Sequence, residues 1–112
     1  MEILNGLINT FKTEYSMRLI MWCWVFMIGI MYIFSFNFFE IAVTIMLLGL
    51  ITATELINTS LEAVVDLVSP NIHPIAKVAK DTASAATAIF STVSFLSFIL
   101  IILNKLMEVG FI

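Results

Sequence analysis

The sequence Glu55-Leu-Ile-Asn-Thr-Ser-Leu-Glu-Ala-Val-Val-Asp66 follows directly on an uncharged apolar segment, residues 41–54, and decides how the chain folds. Its polar side chains recur at helical spacing, as Glu55, Asn58, Glu62 and Asp66. On a helix with ~100° per residue, Glu62 and Asp66 fall within about 20° of Glu55, and Asn58 lies beside them. Acids inside or just below a membrane span are costly and usually functional. The pattern therefore predicts a helix face with a column of oxygen ligands, which is typical of a binding or catalytic site.

Composition and length predict an all-α membrane protein. Of the 112 residues, 62% are hydrophobic and 12% are charged, whereas soluble domains carry about 25% charged residues. Crossing a bilayer as a helix takes about 20 apolar residues. Two uncharged runs have that length, residues 19–39 and 82–104. A third run, residues 41–54, is shorter and reaches the length of a span by continuing towards Asp66. We predict one membrane-embedded domain over residues 1–112, with a surface helix at about 1–14 and transmembrane helices at about 17–38, 41–66 and 82–104.

Several classes of function find no support in the composition. The sequence contains no cluster of basic residues of the kind that indicates a nucleic-acid partner. A single cysteine, Cys23, cannot form an internal disulfide or a cysteine metal site. None of the four glycines belongs to a glycine-rich phosphate-binding loop, so any phosphate would have to be bound by cations.

Lysine and arginine positions predict the orientation in the membrane. Lys12 and Arg18 precede the first span, Lys77 and Lys80 precede the third, and Lys105 alone follows it. The positive-inside rule then places the N-terminus and the connection between the second and third spans in the cytoplasm. The first 14 residues carry Ile and Leu on one helical face and polar residues opposite, which favours an amphipathic helix on the inner leaflet. A plain extension of the first span is the alternative.

Three carboxylates are predicted to meet at the inner membrane interface. At ~1.5 Å per residue from Ile41, Glu55 lies ~21 Å down a ~30 Å core, and Glu62 lies ~32 Å down. The residues 37–40 are expected to form a short turn, so the first two spans are antiparallel and Glu14 lies at a similar level. Three helices alone are not expected to shield these acids, which suggests an oligomer.

This arrangement suits phosphoryl transfer to a membrane lipid. Mg²⁺ prefers one or two carboxylates together with phosphate oxygens and water, a requirement that Glu14 and Glu62 fit. Lys77 and Lys80 could neutralise phosphate charge. Glu55 lies deeper, where a lipid hydroxyl would lie, and is the candidate general base.

The segment 55–66, followed by His73 and by Ala79-Lys-Asp-Thr-Ala-Ser-Ala-Ala86, resembles the prokaryotic diacylglycerol kinase family. Glu14 lies at the family's spacing upstream, so the resemblance extends over nearly the whole chain. It implies three transmembrane helices with an amphipathic N-terminal helix, assembled as a homotrimer with shared active sites. It also implies ATP, Mg²⁺ and a membrane lipid as ligands, in the bacterial inner membrane with the N-terminus and active site cytoplasmic.

The resemblance also implies a role for individual residues. Glu55 matches the catalytic base, and Glu14 and Glu62 match the metal- and ATP-binding acids. The residues that match contacts to the nucleotide are Asn71, His73, Lys80 and Asp81. Those that match contacts to the lipid substrate are Asn58 and Ser84.

The family has two known lipid substrates. We expect phosphorylation of diacylglycerol to phosphatidic acid, which the sequence 83–86 favours. Phosphorylation of undecaprenol is the alternative, which the sequences 67–70 and 73–80 favour. A catalytically inactive member acting as a membrane scaffold is a further alternative, because the N-terminus is short and Ile20 stands where many relatives have Glu or His. An ion channel or proton relay would instead need acids spread through the depth of the membrane.

Overall fold

The computed structural model describes residues 2–110, and within this range all regular secondary structure is α-helical. Met1 and residues 111–112 of the predicted domain lie outside the described part. The prediction of an all-α membrane protein is confirmed, because three of the helices are long and apolar enough to cross a membrane. The predicted separate N-terminal helix is also present. The helices are α1 (Glu2–Thr13), α2 (Tyr15–Ile33), α3 (Phe38–Val68) and α4 (Pro74–Glu108).

The chain buries very little apolar surface by itself. Between residues 2 and 110 the buried apolar side chains are Met17, Met27, Phe36 and Leu48. Most of the large apolar side chains on α2, α3 and α4 are exposed in the single chain. A soluble protein would not tolerate so large an apolar surface, whereas hydrocarbon or further protein covers it in a membrane.

The connection between α2 and α3 lies earlier than the sequence suggested. The predicted turn at residues 37–40 is wrong, because Phe38 already begins α3. Helix α2 ends in a Schellman motif: the Phe36 N–H donates to the Met31 carbonyl at 3.0 Å and the Ser35 N–H donates to that of Tyr32 at 3.3 Å. Ser35 has φ +51°, the left-handed conformation in which this motif usually has glycine.

A capping box explains why α3 begins directly after this turn. The Asn37 Oδ1 accepts the Glu40 N–H at 2.8 Å, and the Glu40 Oε1 accepts the Asn37 N–H at 2.9 Å. The same Glu40 oxygen lies 2.9 Å from the Nζ of Lys105, near the end of α4. Glu40 and Lys105 are both buried. One carboxylate thus starts α3 and fixes it to α4, and we call this end of the molecule the loop end.

The helices α2, α3 and α4 run antiparallel in sequence order. α3 packs more extensively against α4 than against α2. Glu40 pairs with Lys105 at the loop end, and Asp66 pairs with Lys80 at the opposite end, which we call the site end. α4 includes the charged residues before the predicted span at 82–104, since no helix-breaking residue follows Pro74.

Replacing Ser35 with glycine should stabilise the protein. Glycine adopts positive φ without the steric cost of a Cβ, so Ser35→Gly should raise the free energy of unfolding by about 0.5–1 kcal/mol. Thermal unfolding in detergent micelles measures this change. Ser35→Val is the matched control and should lower the unfolding temperature, since a β-branched residue is strained at this φ. An unchanged or lower unfolding temperature for Ser35→Gly would contradict the explanation.

Candidate active site

Glu55 and Asn58 are buried on α3 even in the single chain, with exposed fractions of 7% and 9%. The expectation that three helices could not shield these acids is therefore wrong for Glu55. The reason lies in the first turn of α2, which packs over this part of α3. The Ser16 hydroxyl there approaches the Glu55 carboxylate, and Met17 is 3% exposed. Nothing in the sequence motif pointed to Ser16, because its approach depends on how α2 packs against α3.

The three predicted carboxylates come together at the site end. Glu14 and Glu62 lie close enough to Glu55 for their charges to repel its charge. Glu14 is the N-cap of α2, in extended conformation, and its side chain makes no capping hydrogen bond. Its carboxylate therefore remains available to a ligand. A cluster of three acids in a partly apolar layer favours a bound cation.

The carboxylates suit a metal ion that arrives with a ligand of its own. In residues 2–110 no group of three or more His, Cys, Asp or Glu side chains is arranged to hold a metal. Mg²⁺ does not need such a group, because one or two carboxylates suffice when phosphate oxygens and water complete its octahedron. Glu14 and Glu62 therefore fit a Mg²⁺–phosphate complex rather than a metal site built from protein alone.

Asn58 has one polar atom without a partner. Its Nδ2 donates to the Glu62 Oε1 at 3.3 Å, whereas its Oδ1 is buried and accepts no hydrogen bond within the described chain. Buried carbonyl oxygens in proteins are nearly always hydrogen-bonded. Asn58 lies one turn from Glu55, so its Oδ1 is available to a hydroxyl donor beside that carboxylate.

A polar pocket of about 320 Å³ occupies the connection between α3 and α4. Each lysine of the pocket is paired with an aspartate: Lys77 Nζ lies 2.6 Å from Asp81 Oδ2, and Lys80 bonds to Asp66. The structure thus brings together the four predicted nucleotide contacts and the predicted phosphate-neutralising Lys77, and adds Asp66 to them. The lining includes Asn71, His73, Lys80 and Asp81, together with Asp66 and Lys77.

The pocket and the carboxylate cluster are adjacent but separate. Asp66 lines the pocket and lies one turn beyond Glu62 on α3. Glu14, Glu62 and Ser84 do not line the pocket. An apolar groove of about 480 Å³ lies beside the pocket, and His73 lines both. The groove is lined mainly by valine and alanine side chains of α3 and α4. A ligand at the site end therefore meets cations, carboxylates and apolar surface within a few helical turns.

His73 has a structural role that the sequence did not reveal. Its Nδ1 accepts the Ile75 N–H at 3.1 Å, so the ring is the N-cap of α4, with Pro74 at the first helical position. The pair His73-Pro74 was a possible signal, because proline favours the first turn of a helix. The cap holds the start of α4 and with it the position of Lys77 and Lys80.

Two substitutions of His73 should separate this capping role from any contact with a ligand. Asparagine is a good N-cap, so His73→Asn should keep the stability of the wild type, while His73→Ala should lose about 1 kcal/mol. Thermal unfolding in micelles measures both. Equal destabilisation by the two variants would contradict the capping role. A weaker affinity of the stable His73→Asn variant for a pocket ligand would show a direct contact of the imidazole.

Comparison with known proteins shows the family of the chain. The family model described as prokaryotic diacylglycerol kinase matches residues 3–102. The undecaprenol kinase of Bacillus subtilis (strain 168) is 33% identical over 104 residues, covering 91% of this chain and 83% of that protein. A diacylglycerol kinase of Pseudomonas aeruginosa is 34% identical over 90 residues, covering 80% and 73%. None of the solved structures matches the chain. The match over residues 3–102 shows that the chain belongs to the prokaryotic diacylglycerol kinase family.

Proposed function

We propose that this multi-pass membrane lipid kinase transfers the γ-phosphoryl group of ATP to diacylglycerol and forms phosphatidic acid, with Mg²⁺ as cofactor. Membership of the family makes the chain a lipid kinase that uses a nucleotide donor. The whole chain, residues 1–112, then forms one lipid kinase domain. The observation that carries the proposal is the buried Glu55, which lies in an apolar layer beside two further carboxylates.

Glu55 is the group that receives the proton of the lipid. A diacylglycerol hydroxyl lies at the membrane interface, at the level of this residue. As the hydroxyl oxygen bonds to the γ-phosphorus, its proton passes to the Glu55 carboxylate. The bond from the γ-phosphorus to the β–γ bridging oxygen breaks, and ADP leaves. The unpartnered Oδ1 of Asn58 accepts the hydrogen bond of the lipid hydroxyl as the lipid enters, and the hydroxyl then turns its single proton towards Glu55.

The nucleotide occupies the space between the carboxylate cluster and the pocket. Glu14 and Glu62 would hold Mg²⁺, which when bound neutralises charge on the phosphates. Lys80 exchanges Asp66 for a phosphate oxygen, and Asp81 keeps Lys77 in place beside it. Asn71 and His73 contact the nucleotide from the connection between α3 and α4, and Ser84 lines the path of the substrate from α4.

The distribution of cations supports a cytoplasmic site end in a bacterial inner membrane. Lys12 and Arg18 lie near the site end, as do the pocket lysines Lys77 and Lys80. At the loop end Lys105 is paired with Glu40, so its charge is largely compensated. By the positive-inside rule the site end faces the cytoplasm, where ATP is available.

Assembly as a homotrimer with shared active sites is part of the proposal. Small residues let transmembrane helices approach closely. On α4 such residues follow Asp81 and are exposed in the single chain, so a second copy could pack against them. These residues are Ser84, Ala85, Ala86 and Ala88.

Undecaprenol is the second candidate substrate. The observation that favours it is the relative named undecaprenol kinase, which covers 91% of this chain. Undecaprenol also has a single primary hydroxyl that can lie at the interface beside Glu55. The two lipids differ in their apolar parts, so selection between them depends on contacts along the membrane-facing helices.

Substitution of the three carboxylates should separate catalysis from metal binding. Glu55→Gln cannot accept a proton, so turnover should fall by about 10²–10⁴-fold while binding of Mg·ATP changes little. Glu14→Gln and Glu62→Gln should weaken the apparent affinity for Mg·ATP as well. Steady-state kinetics and nucleotide binding in mixed micelles measure both effects. Equal loss of nucleotide binding in all three variants would contradict this division of roles.

The function itself is tested by transfer of radiolabelled γ-phosphate in mixed micelles, with diacylglycerol and undecaprenol supplied separately. Label on diacylglycerol is the expected result. Label on undecaprenol alone would establish the second candidate. If neither lipid is labelled, and Glu55→Gln matches the wild type, the kinase proposal is wrong and a scaffold role gains support.

A further inference from the structure

A hydrogen bond joins the middle of α2 to α3. The Trp24 Nε1–H donates to the Thr52 Oγ1 at 2.9 Å, and the Thr52 hydroxyl donates in turn to the Leu48 carbonyl at 2.8 Å. Thr54 and Thr92 also donate to the carbonyl one turn before them, but neither accepts a hydrogen bond from another helix in the described structure. Thr52 is therefore the threonine whose hydroxyl joins two spans.

On each of the two helices, this hydrogen bond lies the same number of residues away from a candidate metal ligand. Trp24 lies ten residues after Glu14, and Thr52 lies ten residues before Glu62 (24 − 14 = 62 − 52 = 10). At 1.5 Å per residue each carboxylate is about 15 Å from the hydrogen bond along its helix axis. Because α2 and α3 are antiparallel, equal offsets bring Glu14 and Glu62 to the same level.

We infer that Trp24 and Thr52 are positioning residues, which fix the placement of α2 on α3 and thereby the spacing of Glu14 and Glu62. The inference rests on the proposed function, in which these two acids hold the metal–nucleotide complex. Neither Trp24 nor Thr52 touches the reacting atoms.

The lever arm of α2 explains why one hydrogen bond matters here. The short connection fixes α2 at the loop end, about 28 Å along the helix from Glu14. A tilt of about 2° around that point displaces Glu14 by about 1 Å. Mg²⁺ takes its ligands at about 2.0–2.1 Å in near-ideal octahedral geometry, so a displacement of that size weakens binding of the metal. α2 packs less extensively against α3 than α4 packs against α3. Without a hydrophobic driving force between helices in lipid, packing and hydrogen bonds must fix its tilt.

Thr52→Val tests this inference, because it keeps the shape of the side chain and removes the hydroxyl. Binding of Mn²⁺ with a non-hydrolysable ATP analogue, followed by the electron paramagnetic resonance of free Mn²⁺, reports on the metal ligands without turnover. We expect about tenfold weaker binding, which is the usual effect of losing a residue that orients metal ligands. KM for Mg·ATP should rise in parallel while kcat changes much less. Thr52→Ser retains the hydroxyl and should restore wild-type binding.

Thr92→Val is the matched control, since it removes the same kind of intrahelical hydrogen bond and no interhelical one. It should bind the Mn²⁺–nucleotide complex like the wild type. Trp24→Phe should reproduce the effect of Thr52→Val, and the double variant should be no worse than either, as expected for one shared interaction. If Thr52→Val fails to fold, Trp24→Phe carries the test, because it leaves Thr52 bonded to Leu48.

Glu62→Gln in the same assay separates failure of this inference from failure of the proposed function. If Glu62→Gln loses the Mn²⁺–nucleotide complex and Thr52→Val retains it, the positioning role is wrong and the metal assignment stands. If Glu62→Gln binds like the wild type, the metal assignment is wrong and the inference falls with it. Equal weakening in Thr52→Val and Thr92→Val would also overturn the positioning role.

Discussion

The structure depends on the cost of leaving a polar group without a partner in hydrocarbon. The three long helices satisfy their own backbone, so the remaining problem is the polar side chains within them. Each solution also fixes a helix: Glu40 caps α3 and pairs with Lys105, and Thr52 accepts from Trp24. At the site end Asn58 and Glu62 satisfy one another only in part. The unpartnered Asn58 oxygen lies beside Glu55, where a ligand hydroxyl could reach it.

The two ends of the molecule therefore differ in kind. At the loop end the buried charges are paired, so that end stabilises the fold. At the site end three carboxylates repel one another beside an unpartnered amide oxygen. Such an arrangement is unfavourable in the protein alone and becomes favourable when a cation and a donor arrive. A difference of this kind separates a structural polar cluster from a functional one, even where both contain the same residue types.

Local patterns in the sequence predicted the column of acids on α3 and the number of membrane helices, because helical periodicity and hydrophobic length are properties of short segments. The length of the apolar run does not reveal the start of α3, because the capping box of Asn37 and Glu40 sets it. The burial of Glu55 beneath the first turn of α2 and the bond between Trp24 and Thr52 could not be predicted, because both depend on how separate helices pack. The roles of the individual site residues rest on the family resemblance and on their proximity, and substitution of Glu14, Glu55 and Glu62 tests them.

The pairing of lysines with aspartates in the pocket bears on how fast a nucleotide can arrive. Lys77 with Asp81 and Lys80 with Asp66 leave the pocket with little net charge. A neutral entrance exerts no long-range attraction on a polyanion, so electrostatic steering contributes little to the association rate. The association rate should then depend only weakly on ionic strength, while the complex, once formed, gains stability as Lys80 exchanges Asp66 for a phosphate. The entrance would thus discriminate among anions at contact rather than at a distance.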